Sequence, residues 1–491
     1  MSILKQTLDR RCFVCVLEIM PQRSLPGFSE LEYILQRGHL ADWPLLPAFS
    51  DRVGQHSDLS PLEGAASFAY PPSSLLHFSG KNRERVDLLL QIESMKAHGL
   101  SQLLILSGDR LPGHFSGQTP VRYLESVPAL QLVRSNCPDW LLGAALNPFK
   151  YREEEGWAQY LKAQKKLLAG ADYLTLQLGF DASKYLEAHT WMRMQARAKP
   201  MLACVMRLTS KRAAVLKQVP GIVITESMCT LLDREQDISP TYAATRSLER
   251  LALQIVGLKL MGYAGVHVSG LYTRAELLEL ERVIGQHRES IASLADWLER
   301  WQASWSMPEA PEVCFTPVTG HWEMGQSNIT ATRRERLRYG LLSKVHRRFF
   351  SGTGGVSKAF GWLVTRPFWK NRAAGNALHV VERAIKRPLV GCDTCGHCRL
   401  EDTLYICPET CPKGLANGPC GGTHLNRCEF GDRECIHSAK YRIAKSVNQV
   451  PLLACTLTPC IEASDRHRSS WPKWFQARAR GTLQGGYRGL D

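Results

Sequence analysis

Eight short apolar runs divide the first 270 residues of the chain, and each is bounded by turn residues. The runs cover residues 13–18, 44–49, 74–78, 102–109, 140–148, 172–177, 200–206 and 265–270. Continuous apolar runs of this length are typical of parallel β-strands that are buried on both faces. The segments between them place apolar residues at helical spacing, most clearly at 83–98, 157–168 and 248–261. Strands that alternate with helices in this way predict an α/β fold, a (β/α)8 TIM-type barrel.

An open doubly wound sheet is the alternative fold that the same alternation allows, but no G-x-G-x-x-G motif follows the first strand. A ninth apolar run at 221–225 is predicted to be a loop or the start of a helix. Residues 285–310 are predicted to be helical and to close the barrel, whereas 311–330 are predicted to be irregular.

Polar residues stand at the ends of six of the predicted strands. They are Glu18, Asp51, His77, Asp109, Asn147 and Gln177. The active site of a TIM-type barrel lies at the carboxyl ends of its strands, so these residues are the candidates for chemistry. A single polar residue there can equally cap a helix or a loop. Glu18 is the strongest candidate, because it places a charge at the end of an apolar strand.

Eight of the sixteen cysteines fall within 44 residues near the C-terminus. They are Cys392, Cys395, Cys398, Cys407, Cys411, Cys420, Cys428 and Cys435. The first three form two overlapping C-x-x-C steps, a spacing that brings thiolates onto one metal centre. Eight thiolates suit two four-ligand sites, of zinc or of iron–sulfur clusters, and a disulfide framework is the alternative. Residues 1–11 carry early charge with no apolar signal-peptide core after them, so we expect a reducing, cytoplasmic compartment and metal binding.

The net charge of +15 is concentrated in residues 331–390, where fourteen Lys or Arg residues face only Glu335 and Glu382, a balance of +12. Such a segment fits an anionic partner or a solvated helical face. No nucleic-acid motif accompanies it, and no run of about 18 uncharged apolar residues predicts a membrane span. We expect this segment to be partly helical, at 332–350 and 374–386, and to pack the cysteine-rich domain onto the barrel.

The predicted domains are a barrel at 1–310, a basic connector at 311–390, a cysteine-rich metal-binding domain at 391–475 and a disordered tail at 476–491. The apolar positions expected to form the packing face of the connector are Leu337, Leu341, Leu342, Val345, Leu378, Val381 and Ile385.

Four strand-end motifs and the cysteine spacing resemble one known family. LEIMPQR at 17–23, LLILSGDRLPG at 103–113, GAALNPFKYREE at 143–154 and AGADYLTLQLGFD at 169–181 resemble segments of methylenetetrahydrofolate reductase, in matching order. The cysteine region resembles the C-terminal domain that some bacteria fuse to this reductase. It is also similar to the iron–sulfur subunit that accompanies the reductase in acetogens.

The resemblance implies a flavoprotein that reduces 5,10-methylenetetrahydrofolate to 5-methyltetrahydrofolate, in one-carbon metabolism and methionine biosynthesis. Hydride would pass from NAD(P)H through FAD to the folate. Glu18 matches the acid that protonates N10 so that the folate ring can open. Asp109 matches an aspartate near flavin and pterin, and Gln177 a glutamine that contacts folate and nicotinamide. His77, Asn147 and Lys166 match positions near FAD, with Lys166 able to neutralise the diphosphate.

The departures from the family lie on the flavin side. Ser107 replaces an arginine, Arg110 follows the aspartate instead, and Lys150 aligns with a histidine. A flavin-free reductase therefore stays open. Two other hypotheses are an iron–sulfur electron-transfer protein and a zinc-stapled folate-binding subunit of a methyl-transfer complex. Expected partners are folate, a nicotinamide cofactor, a redox or methyltransferase protein, and a second copy of the chain in a homo-oligomer, but no nucleic acid.

Overall fold

The computed structural model describes residues 3–22, 28–51, 58–69, 71, 73–111, 123–305, 315–318, 321–324 and 329–479. Side chains at 315–318 and 321–324 are not described. Several parts of the sequence predictions fall outside these ranges. They are Arg23 of the first motif, residues 112–113 of the second, residues 306–310 of the predicted helical segment, residues 311–314, 319–320 and 325–328 of the predicted irregular segment, and residues 480–491 of the tail.

The first 270 residues form a closed parallel barrel. Its strands are β1 (Val14–Ile19), β3 (Trp43–Phe49), β4 (Leu75–Ser79), β5 (Gln102–Leu106), β6 (Leu141–Leu146), β7 (Tyr173–Leu176), β8 (Met201–Met206) and β9 (Gly265–Ser269), and the short β2 (His39–Leu40) pairs antiparallel with β3. The barrel closes because β1 pairs in parallel with both β3 and β9. All eight predicted strands are therefore confirmed, and so is the barrel.

Helices cover the outside of the barrel. They are α1 (Ile3–Asp9), α2 (Phe28–Arg37), α3 (Pro61–Ala66), α4 (Arg85–Ala97), α5 (Ser126–Asn136), α6 (Glu153–Leu168), α7 (Ala182–Arg193), α8 (Ser210–Leu216), α9 (Glu226–Ile238), α10 (Pro240–Met261), α11 (Arg274–Ser290) and α12 (Leu294–Trp305). The run at 221–225 is a loop whose last residue, Thr225, caps α9 by accepting from the Met228 N–H. The predicted loop is therefore confirmed.

Helix α12 packs against α10 on the outside of the barrel, through three tryptophans at four-residue spacing. Trp297, Trp301 and Trp305 are each 1% exposed. The indole N–H of Trp297 donates to the Leu253 carbonyl at 2.7 Å, so the polar atom of a buried ring is satisfied.

The remaining elements belong to the connector and the cysteine-rich domain. They are the antiparallel pair β10 (Phe315–Val318) and β11 (His321–Met324), then α13 (Arg333–His346), α14 (Gly355–Val364), α15 (Arg372–Val390), α16 (Ile436–Ser446), α17 (Val450–Cys455) and α18 (Trp471–Ala479), with single turns at Arg347–Ser351, Pro367–Lys370, Pro408–Thr410 and Ala463–Asp465. The prediction of an irregular 311–330 segment is wrong at β10 and β11. The first four residues of the predicted tail, 476–479, continue α18. None of the helices in the described ranges is both long and apolar enough to cross a bilayer.

Helix α6 forms much of the contact between the barrel and the cysteine-rich domain. Thirteen of its sixteen residues are buried. Glu153 accepts from the Tyr441 hydroxyl at 2.8 Å and pairs with Lys445 at 2.7 Å. Glu155 accepts from the backbone N–H groups of Leu425 and Asn426, both at 3.1 Å. The charged side chains of α6 are buried because the second domain supplies their partners.

A buried ion pair extends this contact to the barrel mouth. Lys162 lies 3.0 Å from Glu125, and both side chains are almost fully buried. Glu125 also accepts from the backbone N–H groups of Ala416 and Asn417 at 3.0 and 3.1 Å. Burial alone would raise the pKa of Glu125, but Lys162 and these N–H groups outweigh it and lower that pKa from 4.5 to about 2.

The basic connector packs on the cysteine-rich domain, and the barrel contact belongs to that domain itself. Arg442 pairs with Glu335 at 2.7 Å, and the Ser470 N–H donates to Glu382 at 2.8 Å. The expected packing face is therefore wrong for most of its members. Leu378 is buried, but Leu337, Leu341, Val345, Val381 and Ile385 are exposed.

We expect Glu125→Gln to loosen the cysteine-rich domain from the barrel. The substitution leaves Lys162 buried without its counter-charge, a change that typically costs about 3–5 kcal/mol. Denaturant unfolding together with limited proteolysis would measure the loss. The matched control is Glu93→Gln, which breaks the exposed pair with Lys96 and should change little. Equal behaviour of the two variants would contradict a central role for Glu125.

The same pair predicts a pH dependence. Because the folded-state pKa of Glu125 is lowered to about 2 from 4.5, its contribution is complete above pH 4.5 and is lost as the pH falls toward 2. The difference in melting temperature between wild type and Glu125→Gln should therefore shrink across this window. A difference that stays constant on acidification would show that the carboxylate charge is not what stabilises the contact.

Candidate functional site

A cavity of about 400 Å³ lies at the carboxyl ends of the barrel strands. The residues predicted as catalytic or cofactor-binding that line it are Glu18, His77, Asp109, Asn147, Lys166 and Gln177. The structure thus brings all six together, because the carboxyl ends of parallel barrel strands meet on one face. Other barrel residues complete most of the wall, and the cysteine-rich domain contributes residues 419–422 and Glu429.

Glu18 lies near the end of β1 and faces the cavity. Its Oε2 accepts a hydrogen bond from the hydroxyl of Ser269, the last residue of β9. Cys204 and His267 lie close by. Burial, and then the charge of Glu18, raise the pKa of the Cys204 thiol. Ser269 therefore orients one oxygen of the Glu18 carboxyl group.

Two buried histidines lie together in the barrel interior. The rings of His77 and His267 are 5.3 Å apart, and burial lowers the pKa of each, so both are neutral at pH 7. Within the described residues, Nε2 of His77, both ring nitrogens of His267 and Oγ1 of Thr175 have no hydrogen-bond partner. Buried polar atoms without partners are rare, so these atoms are suited to meet the polar groups of a ligand.

Asp109 lies at the rim of the cavity. Its Oδ1 is 2.5 Å from the ammonium of the buried Lys81, yet its side chain is 68% exposed. Asp51 is buried instead, and burial raises its pKa although the paired Arg83 opposes the shift. Gln177 directly follows β7 and accepts from the Leu178 N–H at 3.0 Å. The rim thus offers one solvent-facing carboxylate, and the interior offers an amide and a carboxyl group.

The side predicted to hold FAD is occupied by contacts to the cysteine-rich domain. Asn147 donates to the carbonyls of Gly221 at 2.8 Å and Gly421 at 2.7 Å. Gly221 has φ 83° and lies so close to Gly421 that a Cβ would clash with the carbonyl oxygen. Lys150 donates to the Gly421 carbonyl at 2.9 Å and also to that of Thr423.

Two lysines of α6 also donate to backbone carbonyls, Lys162 to those of the second domain and Lys166 to one in β6. Lys162 donates to the carbonyls of Gly418 and Pro419 at 3.1 and 3.0 Å, besides its pair with Glu125. Lys166 donates to the Ala145 carbonyl, and burial lowers its pKa from 10.5 to about 7.

These contacts decide how well FAD fits. A dinucleotide diphosphate needs cations and N–H groups that point at it. Lys150 and Lys162 point at carbonyl groups of the second domain, and Lys166 points at the Ala145 carbonyl of β6. The residues on this side therefore do not fit a flavin diphosphate in the arrangement that the structure describes. FAD stays a prediction from the resemblance, and no chemical step is derived through it.

The first four cysteines surround one small cavity. Cys392, Cys395, Cys398 and Cys407 line a space of about 20 Å³. Burial, and then the other three thiols, raise the pKa of Cys407. Lys386 lies 3.5 Å from the Cys398 sulfur.

The other four cysteines lie against the barrel mouth. Burial, followed by Cys420 and Cys411, raises the pKa of Cys435, so these thiols are close neighbours. Cys420 lines the main cavity, and its backbone carbonyl accepts from Gln159 of α6 at 2.7 Å. Cys411 and Cys428 complete this set.

The donor chemistry of the two sets fits a metal centre. All eight thiols are free, as two groups of four, which does not support the disulfide alternative. Burial raises the pKa of Cys395 and of Cys420 to about 11, so a thiolate at either position needs a cation beside it. In the described part of the chain, however, no three Cys, His, Asp or Glu side chains are arranged to hold a single ion. The metal therefore stays a prediction.

Several residues of this site were not found from the sequence. His267 and Ser269 belong to the run GVHVSG, where the alternation of polar and apolar residues was a usable signal. No such local signal marks Gln159, Lys162 or Glu429, because their partners lie far away in the chain. Glu429 accepts from the Arg110 N–H at 2.5 Å across more than 300 residues.

Comparison with known proteins agrees with this architecture. The family model described as methylenetetrahydrofolate reductase matches residues 72–275, and the model described as the methylenetetrahydrofolate reductase C terminal matches residues 372–463. No curated protein matches the chain.

Solved structures are similar at low identity. An uncharacterized protein from Clostridium thermocellum that binds two copies of 5-methyl-5,6,7,8-tetrahydrofolic acid is 13% identical, with a TM-score of 0.42, over 59% of this chain and 99% of its own. The carboxyl transferase domain of Rhizobium etli pyruvate carboxylase is 12% identical, with a TM-score of 0.36, over 61% of this chain and 48% of its own.

The two family matches cover strands β4 to β9 of the barrel and most of the cysteine-rich domain, in the order in which the structure joins them. Most of the barrel of this chain thus matches the methylenetetrahydrofolate reductase family, and a domain that matches the C-terminal domain of that reductase follows it.

Proposed function

We propose that the chain reduces 5,10-methylenetetrahydrofolate to 5-methyltetrahydrofolate in the cavity at the barrel mouth. The observation that carries the proposal is the convergence of Glu18, Asp109 and Gln177 on one cavity within a barrel of this family. The reaction adds two electrons and two protons to the substrate, or equivalently a hydride and one proton. A nicotinamide cofactor, NADH or NADPH, is the proposed hydride source.

Glu18 is the proposed acid. The ring that joins N5 and N10 of the substrate must open before the methylene carbon can accept hydride, and opening needs a proton on N10. Ser269 donates to Oε2 of Glu18, which fixes the carboxyl group at the end of β1. Cys204 and Met206 line the same cavity as Glu18.

The pterin is proposed to meet the remaining polar groups. Its amino and ring nitrogens need hydrogen-bond partners in a buried site. Asp109 at the rim and Gln177 in the interior supply an acceptor and an amide. The unpartnered nitrogens of His77 and His267 are further partners, and they are neutral at pH 7.

A second candidate function is electron transfer into the same cavity. Cys420 belongs to a four-thiol set and lines the cavity, so a metal–sulfur group held by that set would adjoin the substrate. Such a group, held by Cys411, Cys420, Cys428 and Cys435, would supply one-electron transfer. Zinc in the same place would supply stability only.

Glu18→Gln should lower folate turnover by about 10²–10⁴-fold, because the amide cannot donate the proton that N10 requires. Steady-state assays and calorimetric folate binding measure this, and binding should change by only a few fold. The control is Glu32→Gln, on the exposed side of α2. A loss of turnover below tenfold would refute the assignment of Glu18 as the acid.

Cys420→Ser should remove about half of the bound metal, since it disables one of two four-thiol sets and metal binding there supports folding. Metal, sulfide and flavin analysis of anaerobically purified protein provides the readout. Cys455→Ser, an exposed thiol outside both sets, should retain full loading. Full loading of a soluble Cys420→Ser variant would show that Cys420 is not a ligand. A colourless zinc protein would exclude the second candidate function.

A further inference from the structure

An apolar groove opens on the outer face of the connector. It has a volume of about 110 Å³ and lies between α13, α15 and α18. Its walls are Leu342 and Val345 of α13, Ile385 and Leu389 of α15, and Trp471 and Trp474 of α18. Cys398, a member of the first four-thiol set, lines the same groove.

Two exposed apolar stripes flank the groove. On α13, Leu337 is 75% exposed and Leu341 is 59% exposed. On α15, Val381 is 49% exposed and Ile385 is 51% exposed. Each stripe repeats at four-residue spacing, so it forms one face of its helix. Contiguous exposed apolar surface of this kind marks an interaction site.

A second groove, of about 510 Å³, continues from the first. The two share Leu389, Val390 and Tyr405 in their walls. The second groove is lined by Cys407 of the first thiol set and Cys435 of the second. Its charged lining residues are Arg338 and Arg387, together with Glu335 and Glu434, which both pair with Arg442. One continuous surface therefore reaches both cysteine sets from outside.

The charge of this surface is strongly positive. The segment that builds it, residues 331–390, carries fourteen Lys or Arg residues against Glu335 and Glu382. Both glutamates are paired internally, Glu335 with Arg442 and Glu382 with Lys386. The unpaired charges of residues 331–390 are therefore positive, and they surround the apolar groove.

We propose that this connector groove is the docking surface for a small acidic protein that carries an exposed one-electron redox group. The inference rests on the second candidate function above. Complementary charge steers such partners together, and weak redox encounters use small contacts with an apolar centre. The cysteines that line the grooves lie next to this surface, so a redox protein that docks here would be close to both thiol sets. A second copy of this chain fits poorly, because it would bring two basic faces together.

The electron balance of the proposal is simple. Two reduced carrier molecules dock in turn, and each is oxidised by one electron. Two electrons and two protons then convert the methylene group of the bound folate into a methyl group, with cleavage of its bond to N10. No other oxidant or reductant is needed.

Binding of the full-length protein to an acidic [4Fe–4S] ferredoxin tests the proposal by calorimetry at low salt and at about 0.15 M salt. A basic c-type cytochrome of similar size is the control probe. We expect saturable ferredoxin binding that weakens with salt, and no cytochrome binding. Leu341→Asp and Arg338→Glu should each weaken ferredoxin binding at least tenfold.

Matched variants carry the same changes elsewhere. Leu90→Asp replaces an exposed leucine of α4, and Arg197→Glu replaces an exposed arginine after α7. Both should bind ferredoxin as the wild type does. Absence of ferredoxin binding, or binding that Leu341→Asp and Arg338→Glu leave unchanged, would overturn the proposal.

Two further measurements identify other occupants. Flotation with phosphatidylglycerol vesicles that is lost in Leu341→Asp would assign the groove to a membrane surface. A dimer in sedimentation that dissociates in the same variant would assign it to a second copy. Either result, without ferredoxin binding, overturns the proposal. Folate turnover with NAD(P)H is measured on the same variants, so failure of docking and failure of the folate reaction are told apart.

Discussion

The ion pair between Lys162 and Glu125 determines where the cysteine-rich domain lies. Both groups are almost fully buried, and their remaining hydrogen-bonding capacity is taken up by the backbone of residues 416–419. A buried pair of this kind gains little energy over an apolar contact, but breaking it is costly. The backbone of residues 416–419 is therefore fixed over the barrel, and Cys420 follows it into the wall of the cavity.

This position of the second domain changes what the barrel can do. In a free barrel, Asn147, Lys150 and Lys162 would offer donors to an anionic cofactor at the mouth. Here they donate to carbonyl groups of residues 418–423. Glu18, by contrast, is hydrogen-bonded within the barrel, to Ser269. The second domain therefore lies on the side of the cavity that the resemblance assigns to the cofactor, and it places Cys420 in the cavity wall.

The connector forms an exposed surface next to the cysteine-rich domain. Its helices pack on the cysteine-rich domain through Leu378 and Glu382, and they leave their basic and apolar faces exposed. Grooves between them reach Cys398, Cys407 and Cys435. A path for electrons from a docked protein to the barrel cavity would therefore run through the cysteine-rich domain.

The sequence by itself determined the barrel and the candidate residues on its rim. Buried parallel strands are local apolar runs, and residues such as Glu18 and Gln177 fall at their ends, so pattern and motif suffice for both. Only the tertiary structure decided that Lys150 and Lys162 serve the second domain, that Ser269 orients Glu18, and that Leu337 and Leu341 are exposed. These outcomes depend on partners that lie more than 100 residues away in the chain, or on the absence of a neighbouring surface. No local pattern of side chains encodes which distant backbone carbonyl a buried lysine will meet.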